Sequence, residues 1–206
     1  MEARTIEDWI RRARDSIEGA GTPSGGPDRP VAAVVAPCDF PVAPARLFDV
    51  PATQLYEIRT VAGLVPPSAG EEADRSVGAA LEFAVRVCGV RHIVVLAHPG
   101  CGLVRCLVDE DAPGAGAVLR GQFLPSWTAI AASALSRVLR LTIAENERAA
   151  LCSQELVRVS FENLMTYPWI LDAVYDGRLA LHGWYADPDR GNFLRFDPGS
   201  DSFDDR

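Results

Sequence analysis

The chain has 206 residues, 48% of them hydrophobic and 23% charged, which is typical of one folded domain with a sizeable core. Its formal net charge of -8 disfavours nucleic acid and anionic membrane surfaces as partners, because both require a basic face. All 20 of its cationic residues are arginines, and the lack of lysine excludes Schiff-base chemistry and a P-loop lysine.

Two further features indicate a cytoplasmic protein. No apolar run approaches the roughly 18 to 20 residues that span a bilayer, and the N-terminal segment carries acids without an apolar core. The five cysteines are an odd number, which argues against a disulfide framework. We therefore expect some cysteines to be metal ligands and the others to be buried thiols.

The N-terminal region 1–30 is predicted to be a helix on a flexible arm. Its apolar residues recur at helical spacing over 4–19, and a stretch rich in glycine and proline follows. A helix on such an arm often packs on a partner subunit, although it can also cap its own domain.

The rest of the chain, 31–206, shows no internal domain boundary. Its first half alternates strands with helices. Residues 31–38 and 92–98 are short, continuous apolar runs that favour buried strands. Residues 54–63 indicate another strand. Helices are predicted at 43–49 and 74–89, the second ending at a glycine.

The second half is predicted to contain mostly helices and to end in two strands. The predicted elements are a helix at 100–110, a loop at 112–121, helices at 123–140 and 144–176 with a break near Pro168, and strands at 178–187 and 192–198. Strands that alternate with helices indicate an α/β fold with a mainly parallel sheet flanked by helices.

Three potential metal ligands lie at the ends of predicted strands. Cys38 ends one buried strand, His98 ends another, and Cys101 follows His98 by three residues. Ligands of open α/β sheets bind at the carboxyl ends of strands, so these side chains converge if the strands are neighbours. Two thiolates and an imidazole suit Zn²⁺ and leave a fourth position open. The spacing alone equally allows buried cysteines and a hydrogen-bonded core histidine.

Several motifs, in order along the chain, resemble the β-class carbonic anhydrases. They are VVAPC at 34–38, RTVAG at 59–63, ALEFAVRVCGVRHIVVLAHPGCGLVRC at 80–106 and the closing segment at 162–197. The family has a Cys after the first strand, an R-N-A-G-type segment after the second, and a G-H-x-x-C-G strand end. The similarity extends over about residues 31–198.

The resemblance implies an activity, a cofactor and an oligomeric state. Cys38, His98 and Cys101 match the three zinc ligands of the family, in which zinc activates water for reversible hydration of CO2 to bicarbonate. Arg59 matches the Arg of the R-N-A-G segment and is expected to be structural. Family members form dimers, so we expect a homodimer or a higher homo-oligomer.

The segment after Cys38 departs from the family pattern. The family reads C-x-D-S-R, in which the Asp orients the attacking water and the Arg holds that Asp away from the metal. Here Asp39 follows Cys38 directly, no Arg occupies the expected place, and residues 40–42 are apolar. Three roles remain open for Asp39: it orients the water, it closes the site as a fourth zinc ligand, or it points away.

This departure leaves three functions open. The first is CO2 hydration with Asp39 as the catalytic carboxylate. The second is hydrolysis of carbonyl sulfide or carbon disulfide, which are linear apolar molecules like CO2 and suit an apolar pocket. The third is a non-catalytic homologue whose zinc is structural.

Overall fold

The computed structural model describes residues 29–70, 73–109 and 111–205. The helix predicted at 4–19 lies outside these residues, as does almost all of the predicted arm at 1–30. Within the described part of the chain, no helix combines the length and the apolar character needed to cross a membrane.

A six-stranded mixed sheet forms the centre of the fold. Its strands are β1 (Ala32–Pro37), β2 (Leu55–Thr60), β3 (His92–Ala97), β4 (Ala180–Asp187), β5 (Asn192–Asp197) and β6 (Ser202–Asp204). The order is β2-β1-β3-β4-β5-β6. The pairs among β2, β1, β3 and β4 are parallel, and β5 and β6 are added antiparallel. The predicted α/β fold with a mainly parallel sheet is confirmed, and β6 is a strand that the sequence analysis did not predict.

Strands β1 and β3, the inner two of the four parallel strands, are buried on both faces, as their continuous apolar sequences predict. Because successive side chains of a strand point to opposite faces, β1 and β3 each contribute to two different cores. Val35 and Val95 belong to the larger cluster, which also contains residues from several helices. Val34 and Val94 belong to a smaller cluster on the opposite face.

Seven α-helices are present in the described residues: α1 (Pro44–Leu47), α2 (Arg75–Glu82), α3 (Gly102–Val108), α4 (Ala115–Arg120), α5 (Leu124–Leu139), α6 (Glu145–Leu164) and α7 (Pro168–Tyr175). The loop predicted at 112–121 is wrong, because α4 occupies most of it. Gly114 precedes α4 in the left-handed conformation, with φ 97°, so the glycine that suggested a loop begins a helix.

Local signals set the ends of the helix before β3. The Asp74 carboxylate accepts hydrogen bonds from the backbone N–H groups of Ser76 and Val77 and so caps the start of α2. A π-helical turn, Phe83–Cys88, continues α2. Gly89, with φ 73°, then ends the helix and directs the chain into β3.

Candidate metal centre

The carboxyl ends of β1 and β3 bring the predicted ligands to one edge of the sheet. The two strands are hydrogen-bonded parallel neighbours, with Val35 opposite Val95. Cys38 directly follows β1, His98 directly follows β3, and Cys101 is the N-cap residue of α3. The three side chains were expected to converge only if the two strands were neighbours. The pairing of β1 with β3 meets that condition.

Three side chains form a compact group that could hold a metal ion. Ligand atoms of Asp39, His98 and Cys101 all lie within 4.8 Å of one another. Among the residues that the structure describes, this is the one such group of three or more His, Cys, Asp or Glu side chains. His98 is 4% exposed and Cys101 is 2% exposed, so the group has a buried floor. Asp39 closes it from the solvent side, with a side chain that is 46% exposed.

The backbone of α3 and the imidazole hold Asp39 in this position. Its Oδ2 accepts a hydrogen bond of 2.6 Å from the backbone N–H of Gly102, and its Oδ1 lies 3.3 Å from Nε2 of His98. A Cβ at residue 102 would lie 3.2 Å from Oδ2, so the glycine lets the carboxylate approach the start of the helix closely.

The surroundings shift the pKa values of the carboxyl and the thiol in opposite directions. Partial burial alone would raise the pKa of Asp39, but the hydrogen bonds from Gly102 and His98 together hold it below its ordinary value of 3.8. Burial raises the pKa of Cys101 to about 11, and the negative charge of Asp39 adds to the increase. Without a metal, the group at pH 7 is therefore a carboxylate beside a neutral thiol.

Cys38 lies at the same edge of the sheet but does not belong to this group. Its side chain is exposed, and its backbone N–H donates a hydrogen bond of 2.9 Å to the carbonyl of Thr60 at the end of β2. Cys38 and Asp39 occupy the centre of a turn closed by a hydrogen bond from Phe40 N–H to the Pro37 carbonyl. The structure therefore brings Asp39, rather than Cys38, close to the imidazole and the buried thiol.

Arg59 contacts the backbone that leads into this turn. Its guanidinium donates a hydrogen bond of 3.1 Å to the Pro37 carbonyl and lies 3.4 Å from a carboxylate oxygen of Glu57. These contacts favour the structural role expected for Arg59, since they fix the end of β1.

A cleft of about 910 Å³ opens beside the group and reaches it at Gly102. Its apolar lining includes Val61, Leu103, Val118 and Leu124, and α4 contributes to one wall. Because the sequence predicted a loop in place of α4, this wall was not predicted. The glycines at 114 and 116 lower the helix propensity of this segment and so indicated a loop.

The carbonic anhydrase family model matches residues 32–193, which include both ligand-bearing strands. The chain belongs to the β-class carbonic anhydrase family. Among curated relatives of this family, the chain is 30% identical over 165 residues to β carbonic anhydrase 3 of Arabidopsis thaliana. That match spans 78% of this chain and 62% of the relative, so the chain corresponds to less than two thirds of the relative's length.

Solved structures of β-carbonic anhydrases share the fold. The β-carbonic anhydrase CcaA aligns with a TM-score of 0.75 at 23% identity, over 97% of this chain and 86% of that one. A tetrameric β-carbonic anhydrase from Sordaria macrospora aligns with a TM-score of 0.71 at 21% identity, over 92% of this chain and 94% of that one. At these identities the likeness concerns the fold alone.

The donor atoms of the group formed by Asp39, His98 and Cys101 fit zinc. Thiol sulfur and imidazole nitrogen are the donors that zinc prefers, and a carboxylate is also acceptable. Bonds of about 2.0 to 2.1 Å at a tetrahedral angle place an N and an O ligand about 3.3 Å apart. His98 Nε2 and Asp39 Oδ1 are 3.3 Å apart, so the geometry also fits Asp39 as a ligand. A Zn²⁺ ion also offsets the charge of the thiolate that it would require from Cys101.

Proposed function

We propose that this chain is a zinc-dependent enzyme that catalyses the reversible hydration of CO2 to bicarbonate. The observation that carries the proposal is the group formed by Asp39, His98 and Cys101 at the sheet edge, in a chain of the β-class carbonic anhydrase family. Zinc, when bound there, supplies an activated water at neutral pH.

We assign Cys38, His98 and Cys101 as the metal ligands. His98 and Cys101 are already adjacent and buried, and they supply the fixed part of the site. Cys38 lies at the centre of the exposed turn beside Asp39, and we assign it as the third ligand because it follows β1, where the family pattern has a Cys. Three protein ligands leave one position for the reacting water, as catalytic zinc requires.

Asp39 then acts as the catalytic carboxylate. Its lowered pKa keeps it ionised at neutral pH, so it accepts a hydrogen bond from the attacking water and directs a lone pair of that water toward CO2. The Gly102 N–H fixes the other carboxylate oxygen. Addition of the water oxygen to the carbon of CO2, with loss of one proton to solvent, gives bicarbonate.

A specific observation favours carbonyl sulfide or carbon disulfide as alternative substrates. Where the family has a polar segment after its first ligand, this chain has the buried ring of Phe40, which packs against His98. An apolar wall beside the ligands suits a linear molecule that carries sulfur in place of oxygen. Hydrolysis of carbonyl sulfide by water would yield CO2 and hydrogen sulfide.

The position of Asp39 also supports a non-catalytic alternative. A carboxylate within 4.8 Å of both buried ligands could complete a closed set of four with Cys38, and structural zinc sites are closed in this way. Such a protein would bind zinc tightly and have no position for a reacting water.

The three functions are distinguished by turnover measurements on protein with one zinc per chain. We expect stopped-flow hydration of CO2 to be measurable and to fall at least a hundredfold in Cys38→Ser, with the fold retained by circular dichroism. Sulfide release that exceeds CO2 turnover would transfer the assignment to the second function. Zinc-loaded protein that turns over none of the three substrates between neutral and alkaline pH would support the third.

A further inference from the structure

Phe40 is the residue at which the chain returns to the core after the two exposed residues of the turn. It is 6% exposed, whereas Cys38 and Asp39 before it are exposed. Its N–H donates the 3.1 Å hydrogen bond to the Pro37 carbonyl that closes this turn. The position of Phe40 therefore limits where the two preceding residues can lie.

The Phe40 side chain is buried against both strands that carry the metal centre. It belongs to a cluster with two residues of β1, two of β3 and one of β4: Val34, Ala36, Val94, Leu96 and Ala186. Because these strands are hydrogen-bonded to one another, the cluster is a rigid support for the ring. The ring thus links the turn after β1 to β3, the strand that His98 directly follows.

The same ring contacts a candidate ligand directly. The rings of Phe40 and His98 pack edge to face, with centroids 5.1 Å apart and an interplanar angle of 78°. Edge-to-face packing is one of the geometries that aromatic pairs prefer. His98 is otherwise held at Nε2 by Asp39, at 3.3 Å. The ring of Phe40 therefore occupies the space into which the imidazole would turn about its Cβ–Cγ bond.

We propose that Phe40 is a positioning residue of the metal centre, which orients the His98 imidazole and anchors the turn that carries Cys38 and Asp39. This inference rests on the proposed zinc function and adds to it a residue that touches no reacting atom. Metal affinity depends on such supporting contacts, and their loss typically weakens binding about 10- to 100-fold.

The chain offers a matched control for this role. Phe48 packs at the margin of the same cluster, and its ring contacts Trp184 edge to face with nearly the same geometry, at 5.1 Å and 86°. Phe40→Leu and Phe48→Leu each replace an aromatic ring of this cluster with a branched aliphatic side chain. Only the first change removes a ring contact with a candidate ligand.

The experiment measures zinc affinity by competition with a chromophoric chelator, together with the visible spectrum of the cobalt-substituted protein. We expect Phe40→Leu to weaken zinc binding about tenfold or more and to alter the cobalt d–d bands. Phe48→Leu should match the wild type within about twofold in affinity and leave the bands unchanged. The melting temperatures of the metal-free proteins show how far each variant disturbs the core.

Each result has a defined meaning. If Phe40→Leu binds zinc with wild-type affinity and gives wild-type cobalt bands, Phe40 has no positioning role, whatever the CO2 activity. Equal weakening in both Phe→Leu variants would also overturn the inference, since it would show a general effect of the cluster. Zinc-loaded wild-type protein without CO2 turnover would refute the proposed function but leave the inference on Phe40 intact. A wild-type chain that binds no zinc would overturn both.

Discussion

The raised pKa of Cys101 makes zinc affinity strongly dependent on pH, and the dependence reports how many thiols bind the metal. Burial raises the pKa of Cys101 to about 11. At pH 7 only about one molecule in 10⁴ carries the thiolate, and ionising the rest costs about 5 kcal/mol at roughly 1.4 kcal/mol per pH unit. Zinc must displace this proton, so affinity rises as the pH rises toward 11 and falls as it is lowered.

Each thiol that loses a proton on binding contributes about one unit to the slope of log affinity against pH. Asp39 contributes nothing to this slope near neutrality, because its lowered pKa keeps it ionised there. If Cys38 and Cys101 both bind zinc, the slope between pH 7 and 8 approaches about two. We expect Cys38→Ser to reduce it to about one, and Cys101→Ser to have a similar effect.

The assay is chelator competition for zinc at several pH values, supported by titration calorimetry in two buffers of different ionisation enthalpy to count the released protons. Asp39→Asn is the control, since it retains both thiols and should preserve the wild-type slope. A Cys38→Ser variant with an unchanged slope would show that Cys38 is not a ligand. The ligand set would then be the observed group of Asp39, His98 and Cys101, and the reasoning that assigns Cys38 would be refuted.

Four further predictions concern the scaffold and the stabilisation that zinc would supply. Asp74→Ala should lower the free energy of unfolding by about 1 kcal/mol in urea titrations. Because the folded-state pKa of Asp74 is lowered, this cap stabilises the protein at pH values above the ordinary pKa of 3.8, and the stabilisation is lost as the pH falls below that value. A loss of stability in Asp74→Ala that stays unchanged in acid would contradict this. Gly63→Ala should cost about 2 to 3 kcal/mol, because its Cβ would lie 2.7 Å from the Leu96 carbonyl oxygen at a φ of 66°. Gly89→Ala, at φ 73° with no atom within 4 Å of the added Cβ, should cost only about 1 kcal/mol, and equal losses in the two variants would refute the steric argument. Removal of zinc by a chelator should lower the melting temperature by roughly 10 °C if zinc is present at about a thousand times its Kd, and an unchanged transition would mean that no metal is bound.

The sequence was sufficient to predict the strands that position the centre. The apolar runs of β1 and β3 have few alternatives to a buried parallel strand, and His98 and Cys101 follow β3 so closely that strand geometry alone brings them to the sheet edge. α4 was missed because its glycines suggested a loop, whereas Gly114 adopts the positive φ that starts the helix.

The orientation of the turn after β1 could not be predicted from the sequence. Cys38 and Asp39 are adjacent in an irregular segment, where no period decides which of the two faces His98. The deciding contacts are tertiary: Gly102 N–H holds Asp39, and the cluster around Phe40 fixes the residue that follows it. These contacts link residues that are distant in the sequence, so local pattern carries no signal for them.

Zinc-edge X-ray absorption on protein purified without chelators tests the central claim most directly. We expect one zinc per chain with two sulfur ligands at about 2.3 Å and nitrogen or oxygen ligands at about 2.0 to 2.1 Å. Protein that carries no zinc, or a zinc shell with fewer than two sulfur ligands, would be incompatible with the proposed ligand set.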